Sequence, residues 1–568
     1  MKQSKIYTLD IETDSQGEVL DIGFYDGEVC RYYDNWEKFY NDLLKIECSA
    51  MIYAHNGGGF DYVSFLFYLF KNNIEFYAML KQSKIFAFNL TSKPNIKFVD
   101  SYCIMPMSLN DLTKSFSELQ KLDLGGYDYS KMETFKSSDS VTYYNYLERD
   151  LVSLYQAVIK MQSLVNEIHT IGNLPLSIGG ISLKLFQKRF SEKIGTPSRS
   201  EKIFTFNSYV GGRCEFLGFA KSDLNGWFDD VNGYDFNSHY PSQMINDDFP
   251  IWRGAYTTEF IRDKKGLIRP GVYNAKFDQI NGRFPYLQNA EKEYSFDGYG
   301  CFTNYELNYI EKIGGKIDCL GGYHYEFTKP IFNEFVKFFF DRRLDAQKIS
   351  DEARSLFYKL VLNNLYGKFG QRDEVESLEV LDFRSVSKKL ASGEILNEVY
   401  RIDDDLAFYS VKKQKQCLTS FPAIASMITA KARLRLYDVL ESVKYPLYCD
   451  TDSIHCIGEI DSGLIGNELG KLKIEFFNAA ARYGGKKSYE IANVKSKQKG
   501  IPKVNINEQV YNDLFNNGQV KVEYKKPLML KSAIRSNDLK NPNMFRTFTR
   551  TITKDKSLAE KLGITNFD

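Results

Sequence analysis

Strand-like and helix-like runs interleave from the start of the chain. Residues 6–12 (Ile-Tyr-Thr-Leu-Asp-Ile-Glu) read as a strand, and helical pattern follows at 36–44 and 62–71. Strand pattern returns at 85–90 and 96–99, and a long helix is expected over 141–168. This mixture predicts an α/β unit. The segment 169–175 (His-Thr-Ile-Gly-Asn-Leu-Pro) carries turn chemistry and places a boundary there, giving a first domain of 1–170. Beyond it, in a domain of 171–568, short strands alternate with long helices at 329–345, 350–366 and 422–442, an α+β arrangement. Residues 372–416 are charged and β-rich and read as an insertion between better-defined elements. The last sixty or so residues mix short strands, helix and many lysines.

Length adds that 568 residues are too many for one core. A hydrophobic share of 43% and a charged share of 26% are ordinary for a soluble globular protein. The net charge of +1 does not exclude nucleic acid, because a local patch suffices. Residues 471–531 hold such a patch, 13 Lys and Arg against 5 Asp and Glu. The 9 cysteines are scattered without paired metal spacing, which reads as reduced thiols in a cytoplasmic compartment. The N-terminus runs straight into strand pattern without a signal-peptide core, and no apolar run is long enough for a membrane span.

Carboxylates change the picture most. In Tyr448-Cys449-Asp450-Thr451-Asp452-Ser453, two acids sit two residues apart in a strand-like run, where i and i+2 share a face. Buried on a strand, such a pair is costly unless a metal or donor neutralises it. Asp235, in Tyr234-Asp235-Phe236-Asn237-Ser238-His239-Tyr240-Pro241, can complete a two-cation site for in-line phosphoryl transfer. There Pro241 is expected to end the strand. A second group comprises Asp10 and Glu12 on the first strand, Asp61 after the glycine run that follows Asn56, and Asp150 four residues beyond Tyr146. The i, i+4 spacing puts Tyr146 and Asp150 on one helical face, where Tyr146 can orient a water. Asp10, Glu12, Asp61 and Asp150 suit two Mg2+ or Mn2+ ions. Each motif alone is common on solvated surfaces; the three in this order, each in a fitting element, point to a site.

Other side chains fit a nucleotide or a nucleic-acid strand. Tyr240 can pack beneath a sugar and exclude a 2′-hydroxyl. Lys359, Asn363, Tyr366 and Gly367 recur on one helical stripe, with Lys359 available to a triphosphate. Lys487 and Tyr489 form Lys-x-Tyr in the basic stretch, and Lys495, Lys497, Lys499 and Lys503 suggest a phosphate track. Tyr209-Val210-Gly211-Gly212-Arg213 suits close approach to a sugar–phosphate backbone.

These motifs, colinear over nearly the whole chain, resemble those of family B DNA polymerases, most closely the protein-primed branch of small tailed phages and linear plasmids. The resemblance implies a ribonuclease-H-like 3′→5′ exonuclease followed by a right-hand polymerase of palm, fingers and thumb. Asp235 and Asp452 would hold two Mg2+ or Mn2+ ions, with Asp450 supporting. Lys359 would hold the dNTP, Tyr240 would police the sugar, and Tyr366 would sit at the base pair. Lys487 would contact the primer terminus, and Tyr209, Gly211 and Gly212 would balance synthesis against editing. Asn56 and the Ser101 region would bind the single-stranded 3′ end, with Thr13 and Tyr53 as neighbours. The palm would carry Asp235 and Asp450/Asp452, with a first insertion at about 250–327, fingers at 340–370, a second insertion at 372–416 and a thumb at 505–568. Partners would be primer–template DNA, dNTPs and a separate terminal protein, with strand displacement and a monomeric enzyme expected. One departure stands out: relatives place an exonuclease-assisting lysine before a Gly-x-x-Asp-Tyr segment, where this chain has Leu124, with Lys121 nearest. Two other readings compete. One is an oligonucleotide-primed polymerase without a protein partner; the other is a nuclease whose C-terminal half binds DNA.

Overall fold

A computed structural model describes residues 3–15, 17–81, 84–122, 124, 131–190, 193–382, 387–388, 390–391, 396–401, 406–414, 417–502, 505–527 and 545–564. The N-terminal part is built on three parallel strands. Lys5–Thr13 pairs with Ala50–Ala54, which pairs with Lys93–Asp100. Ala50–Ala54 is buried at every position, as a central parallel strand must be when both faces are covered. Its period-two alternation divides two cores. Met51 and Tyr53 join the long helix Ser140–Ile168, while Ala50, Ile52 and Ala54 join the helix Asp61–Lys71. Antiparallel strands Val19–Tyr25 and Cys30–Tyr33 extend one side, and Lys84–Leu90 and Phe76–Lys81 the other.

The sheet does not stop there. The antiparallel strands Glu374–Asp382, Leu406–Gln414 and Leu396–Arg401 add to it, with Ser377, Leu378 and Glu379 opposite Met79, Ala78 and Tyr77. The β-rich insertion expected at 372–416 thus covers what would be an open edge at Phe76–Lys81, giving a ten-stranded sheet.

The second half is centred on a seven-stranded antiparallel sheet. Its order is Lys495–Gln498, Ser488–Ile491, Leu472–Gly485, Trp227–Phe236, Ser453–Ile457, Tyr445–Asp450 and Cys214–Phe216. The helix Pro422–Ser442 opens on proline, whose missing N–H costs nothing in a first turn, and Leu436, Tyr437 and Leu440 pack in the core behind the sheet. Helices Asn333–Lys348 and Glu352–Asn364 form a hairpin. The first starts later than expected because Thr328–Lys329 is a short strand paired to Phe249–Pro250. Between these elements lies a four-stranded sheet of Ala255–Thr257, Lys316–His324, Gly271–Asp278 and Asp297–Thr303. At the C-terminal end, helix Glu508–Asn517 precedes a hairpin of Gln519–Pro527 and Phe545–Thr553. Among the described residues no helix is long and apolar enough to cross a membrane.

Candidate active sites

Strand register assembles the first acidic site. Asp235 lies opposite Ser453, and the Phe236 N–H donates to the Asp452 carbonyl at 2.8 Å, so Asp235 on its strand and Asp452 in the turn before Ser453 are close neighbours. Asp450 and Asp452 do not share the face of one extended run, as the sequence suggested. They flank a tight reversal in which the Asp452 N–H donates to the Asp450 carbonyl (2.8 Å) and Thr451 adopts φ 67°. A threonine with positive φ is strained, and three neighbours hold it there. The Thr451 N–H donates to the Arg213 carbonyl at 2.7 Å, His239 Nδ1 lies 3.1 Å from the Thr451 carbonyl, and Gly212 presses on its side chain. Pro241 also differs from expectation. The strand ends at Phe236, Ser238 turns left-handed at φ 51°, and Pro241 sits inside the short helix His239–Ser242.

The electrostatics separate the three acids. Burial, then repulsion from Asp235, pushes Asp452 up to about 6. Burial raises Asp235 too, against the Lys473 ammonium 3.1 Å away. Burial also works to raise Asp450, but Lys487 (3.0 Å) and Lys497 (3.2 Å) outweigh it and hold its carboxyl below the usual range. Two lysines of the expected phosphate track are on carboxylates, Lys497 on Asp450 and Lys495 2.8 Å from Glu475; Lys499 is exposed, and Lys503 falls outside the described residues. Tyr489 corrects a second expectation. Its ring is 6% exposed, buried among Tyr448, His455 and Tyr483, so it packs the core and offers DNA no face. Arg213 is buried on Glu215 rather than turned to a strand.

Around Asp235 and Asp452 the helical hairpin supplies cations. Burial, then Arg343 and Lys473, depress Lys359, while Asp235 and Asp452 raise it, so all five groups share one electrostatic neighbourhood. Arg343, which sequence reasoning missed, donates to Ser238 Oγ at 3.1 Å, and its Nε has no partner. Its one signal was an arginine pair in the helix preceding Lys359. The expected stripe is broken: Lys359 and Asn363 lie on Glu352–Asn364, but Tyr366 begins a separate turn, Tyr366–Phe369. The break lets the Tyr366 ring meet Tyr240 at 4.3 Å between ring centres. Asn363 Oδ1 is buried without a partner. The Tyr209 ring lies against Gly370, whereas Gly211 faces open space.

The second acidic site forms where the first strand meets two helices. Asp10 and Glu12 come from Lys5–Thr13, Asp61 opens Asp61–Lys71 and accepts from the Ile11 N–H at 3.2 Å, and Asp150 lies in Ser140–Ile168. Burial, then Asp61, Asp150 and Glu12, holds Asp10 well above the carboxylate range. Burial, then Asp150, pushes Glu12 up to about 8, and burial takes Asp61 up to about 7. Lys121 donates to Asp150 and, at 2.7 Å, to the Tyr146 hydroxyl. The lysine that the motif appeared to lack therefore reaches the cluster from three residues before Leu124. Of the region expected around Ser101, Ser101 itself is 0% exposed and donates to the Ala54 carbonyl, whereas the adjoining Tyr102 is 38% exposed. Thr13 and Tyr53 are also buried, while Asn56 is exposed in the left-handed region at φ 60°.

Both clusters offer the hard carboxylate oxygens that Mg2+ or Mn2+ prefers. Asp150 Oδ1 is buried without a partner, an acceptor that fits a cation. Among the described residues no three such side chains already converge on one point. Lysine ammoniums contact Asp150, Asp235 and Asp450 instead.

Comparison with known proteins agrees with this geometry. The family described as DNA polymerase type B, organellar and viral, matches residues 127–466. A DNA-directed DNA polymerase of Enterobacteria phage PRD1 is 29% identical over 517 residues, 86% of this chain and 83% of that protein. A probable DNA polymerase of Podospora anserina is 24% identical over 510 residues, 75% of this chain but 41% of that protein. Phi29 DNA polymerase, solved with primer–template DNA and incoming nucleotides, has the same fold at TM-score 0.74 and 18% identity, over 97% of this chain and 100% of that one.

Proposed function

The chain belongs to the organellar and viral type B DNA polymerases, and from that premise we propose two centres, one extending a primer and one trimming it. Synthesis takes place at Asp235 and Asp452, editing at Asp10, Glu12, Asp61 and Asp150. The observation that carries this reading is the register that sets Asp235 beside Asp452 with Lys359 and Arg343 in the same neighbourhood.

In synthesis, Asp235 and Asp452 would hold two divalent cations, Mg2+ or Mn2+, which supply charge stabilisation for in-line displacement at the α-phosphorus. Lys359 and Arg343 neutralise the triphosphate. Tyr240 and Tyr366, their rings in tilted contact, form the floor beneath sugar and base, and Tyr240 rejects a 2′-hydroxyl. Lys487 and Lys497 keep Asp450 ionised beside the turn, and Lys487 meets the primer terminus. In editing, the second cluster would hold its own cations, while Tyr146, fixed by Lys121, orients the attacking water.

The chain divides at about 170 into exonuclease and polymerase parts. The four-stranded sheet within 250–327 is the first insertion, and the three strands within 374–414, with Leu406–Gln414 in the middle, are the second, which favours strand displacement. A protein hydroxyl primes synthesis. The likeness to phi29 polymerase supports the shared fold, and Tyr299 and Leu320 are exposed on the first insertion.

Asp452→Ala abolishes primer extension while single-strand degradation persists. Near-normal extension by that variant, measured by dNTP incorporation on a primed circular single strand, would overturn the assignment. Deoxynucleotide transfer to a co-expressed terminal protein separates protein priming from oligonucleotide priming.

A further inference from the structure

Lysines are almost never fully buried unless paired, because taking an ammonium out of water is costly. Lys202 is buried in this way. It lies 2% exposed in the helix Arg199–Phe206, and neither acidic site uses it. Its Nζ donates to the Asp373 carboxylate at 3.2 and 3.4 Å and to the Cys417 carbonyl at 2.8 Å. Asp373 immediately precedes the strand Glu374–Asp382, and Cys417 follows Leu406–Gln414, the last strand of the second insertion. A single ammonium therefore holds both legs of that insertion's neck. The Asp373 carboxylate closes the triangle by accepting from the Cys417 N–H at 2.9 Å.

The helix is a fixed post. Ser198 and Glu201 form a capping box at its start, and Glu201, 1% exposed, also accepts from the Gly254 N–H at 3.1 Å. Lys202 and Phe206 share a helix face at i and i+4. The Arg372 guanidinium lies 5.9 Å from the centre of the Phe206 ring, and just past the helix the Tyr209 ring meets Gly370. The first leg thus runs along the post from Gly370 to Asp373. Lower down the legs hold each other: Ser420 Oγ donates to the Gln371 carbonyl at 2.5 Å, and the Phe421 N–H to the Phe369 carbonyl at 2.7 Å. Those bonds tie leg to leg, whereas Lys202 ties the pair to the body of the protein. A cavity of about 340 Å³ beside the neck, lined by Phe186, Lys193, Phe369, Leu418 and Phe421, leaves the legs room on that side.

We propose that Lys202 is the positioning residue of the second insertion: by pinning both legs of the neck to Arg199–Phe206, it holds the three strands at the angle from which they part the duplex ahead. This rests on the reading of 374–414 as the displacement insertion. Without the ammonium the legs swing toward the cavity, and the angle of the insertion then depends on its pairing with Phe76–Lys81.

The test gives the full chain one primer on two templates, the first single-stranded ahead of the primer, the second covered there by a labelled downstream oligonucleotide. Lys202→Met keeps the length of the side chain and removes its charge. Release of the downstream oligonucleotide falls by about tenfold, as expected when one member of a buried pair is removed, while KM for dNTP and the rate on the open template change by less than about twofold. Asp373→Ala reaches the neck from the other side and gives the same split, and the double variant is no worse than either alone, because the two act as a pair. Unchanged release by Lys202→Met overturns the clamp. An equal fall on both templates also overturns it, by making Lys202 a prop for the Tyr209 loop. Where Lys202→Met fails to fold, seen as loss of its near-ultraviolet dichroism, Asp373→Ala decides by the same criteria, its carboxylate being 27% exposed. The displacement reading is tested separately: if the unmodified chain halts at the duplex, or a chain lacking 374–414 still passes it, that reading fails and the clamp with it.

Discussion

His455 is enclosed by Tyr448, Phe476, Tyr483 and Tyr489, and its Nδ1 lies 3.0 Å from the Tyr483 hydroxyl. Burial, with Lys495 and Lys497 and against Asp450, pushes it down to about 3. The unfolded chain takes up this proton below about 6.5 and the folded one does not, so stability is lost as pH falls through that window. His455→Phe strands the Tyr483 hydroxyl and costs about 1–2 kcal/mol at pH 8. Because it removes the proton uptake, its unfolding free energy falls less steeply with acid, and the two proteins converge near pH 5. Parallel urea-unfolding curves from pH 8 to 5 would count against this. Gly212 gives a second residue-scale prediction. A Cβ there would lie 2.7 Å from the Thr451 side chain, which is β-branched and cannot yield. Gly212→Ala should displace the catalytic turn and slow extension by about tenfold or more, while single-strand degradation, read in the same assay, stays intact. Which acids come together was legible from motif order; which way other side chains turn was not. Ser101 and Tyr489 match motifs yet are buried, and Lys121 reaches its place from a position the motif does not name.

At the scale of elements, period and turn chemistry located the strands and helices well. The helix Pro422–Ser442 matches the expected bounds, and Ser140–Ile168 starts one residue early. Errors cluster where a long-range partner decides. Nothing local in 374–382 says that it pairs with 76–81, nearly three hundred residues earlier, because register is set by the edge it covers. That pairing has a consequence for exchange. Replacing 374–414 with a short glycine-rich loop uncovers the edge of Phe76–Lys81. Amide protection at Tyr77 and Met79 should then drop by at least about tenfold, with little change at Ile52 in the sheet centre. Equal protection in both proteins would mean that these three strands do not seal this edge in solution.

At the scale of the molecule, the boundary expected near 170 is a boundary of chain, not of core. One continuous cluster holds Leu154, Val158, Met161 and Val165 of the long N-terminal helix together with Ile178, Ile181, Phe335, Val361 and Ile424. Helix Glu352–Asn364, which carries Lys359, packs on both Leu109–Phe116 and Ser140–Ile168. Exposing even four such side chains costs about 6–12 kcal/mol at about 1.5–3 kcal/mol each, the same scale as the whole stability of a domain. Composition and periodicity do not reveal this, because an apolar helix face reads alike whichever half of the chain covers it. A fragment of residues 1–170 should therefore fail to fold on its own: it should bind a hydrophobic dye, lack near-ultraviolet dichroism and leave single strands uncut even with Mn2+. The full chain should lose its tertiary signal and its single-strand degradation in one coincident thermal transition. A fragment that unfolds cooperatively and trims single strands would show that the shared core is dispensable, and that the two centres are independent modules rather than two faces of one packed body.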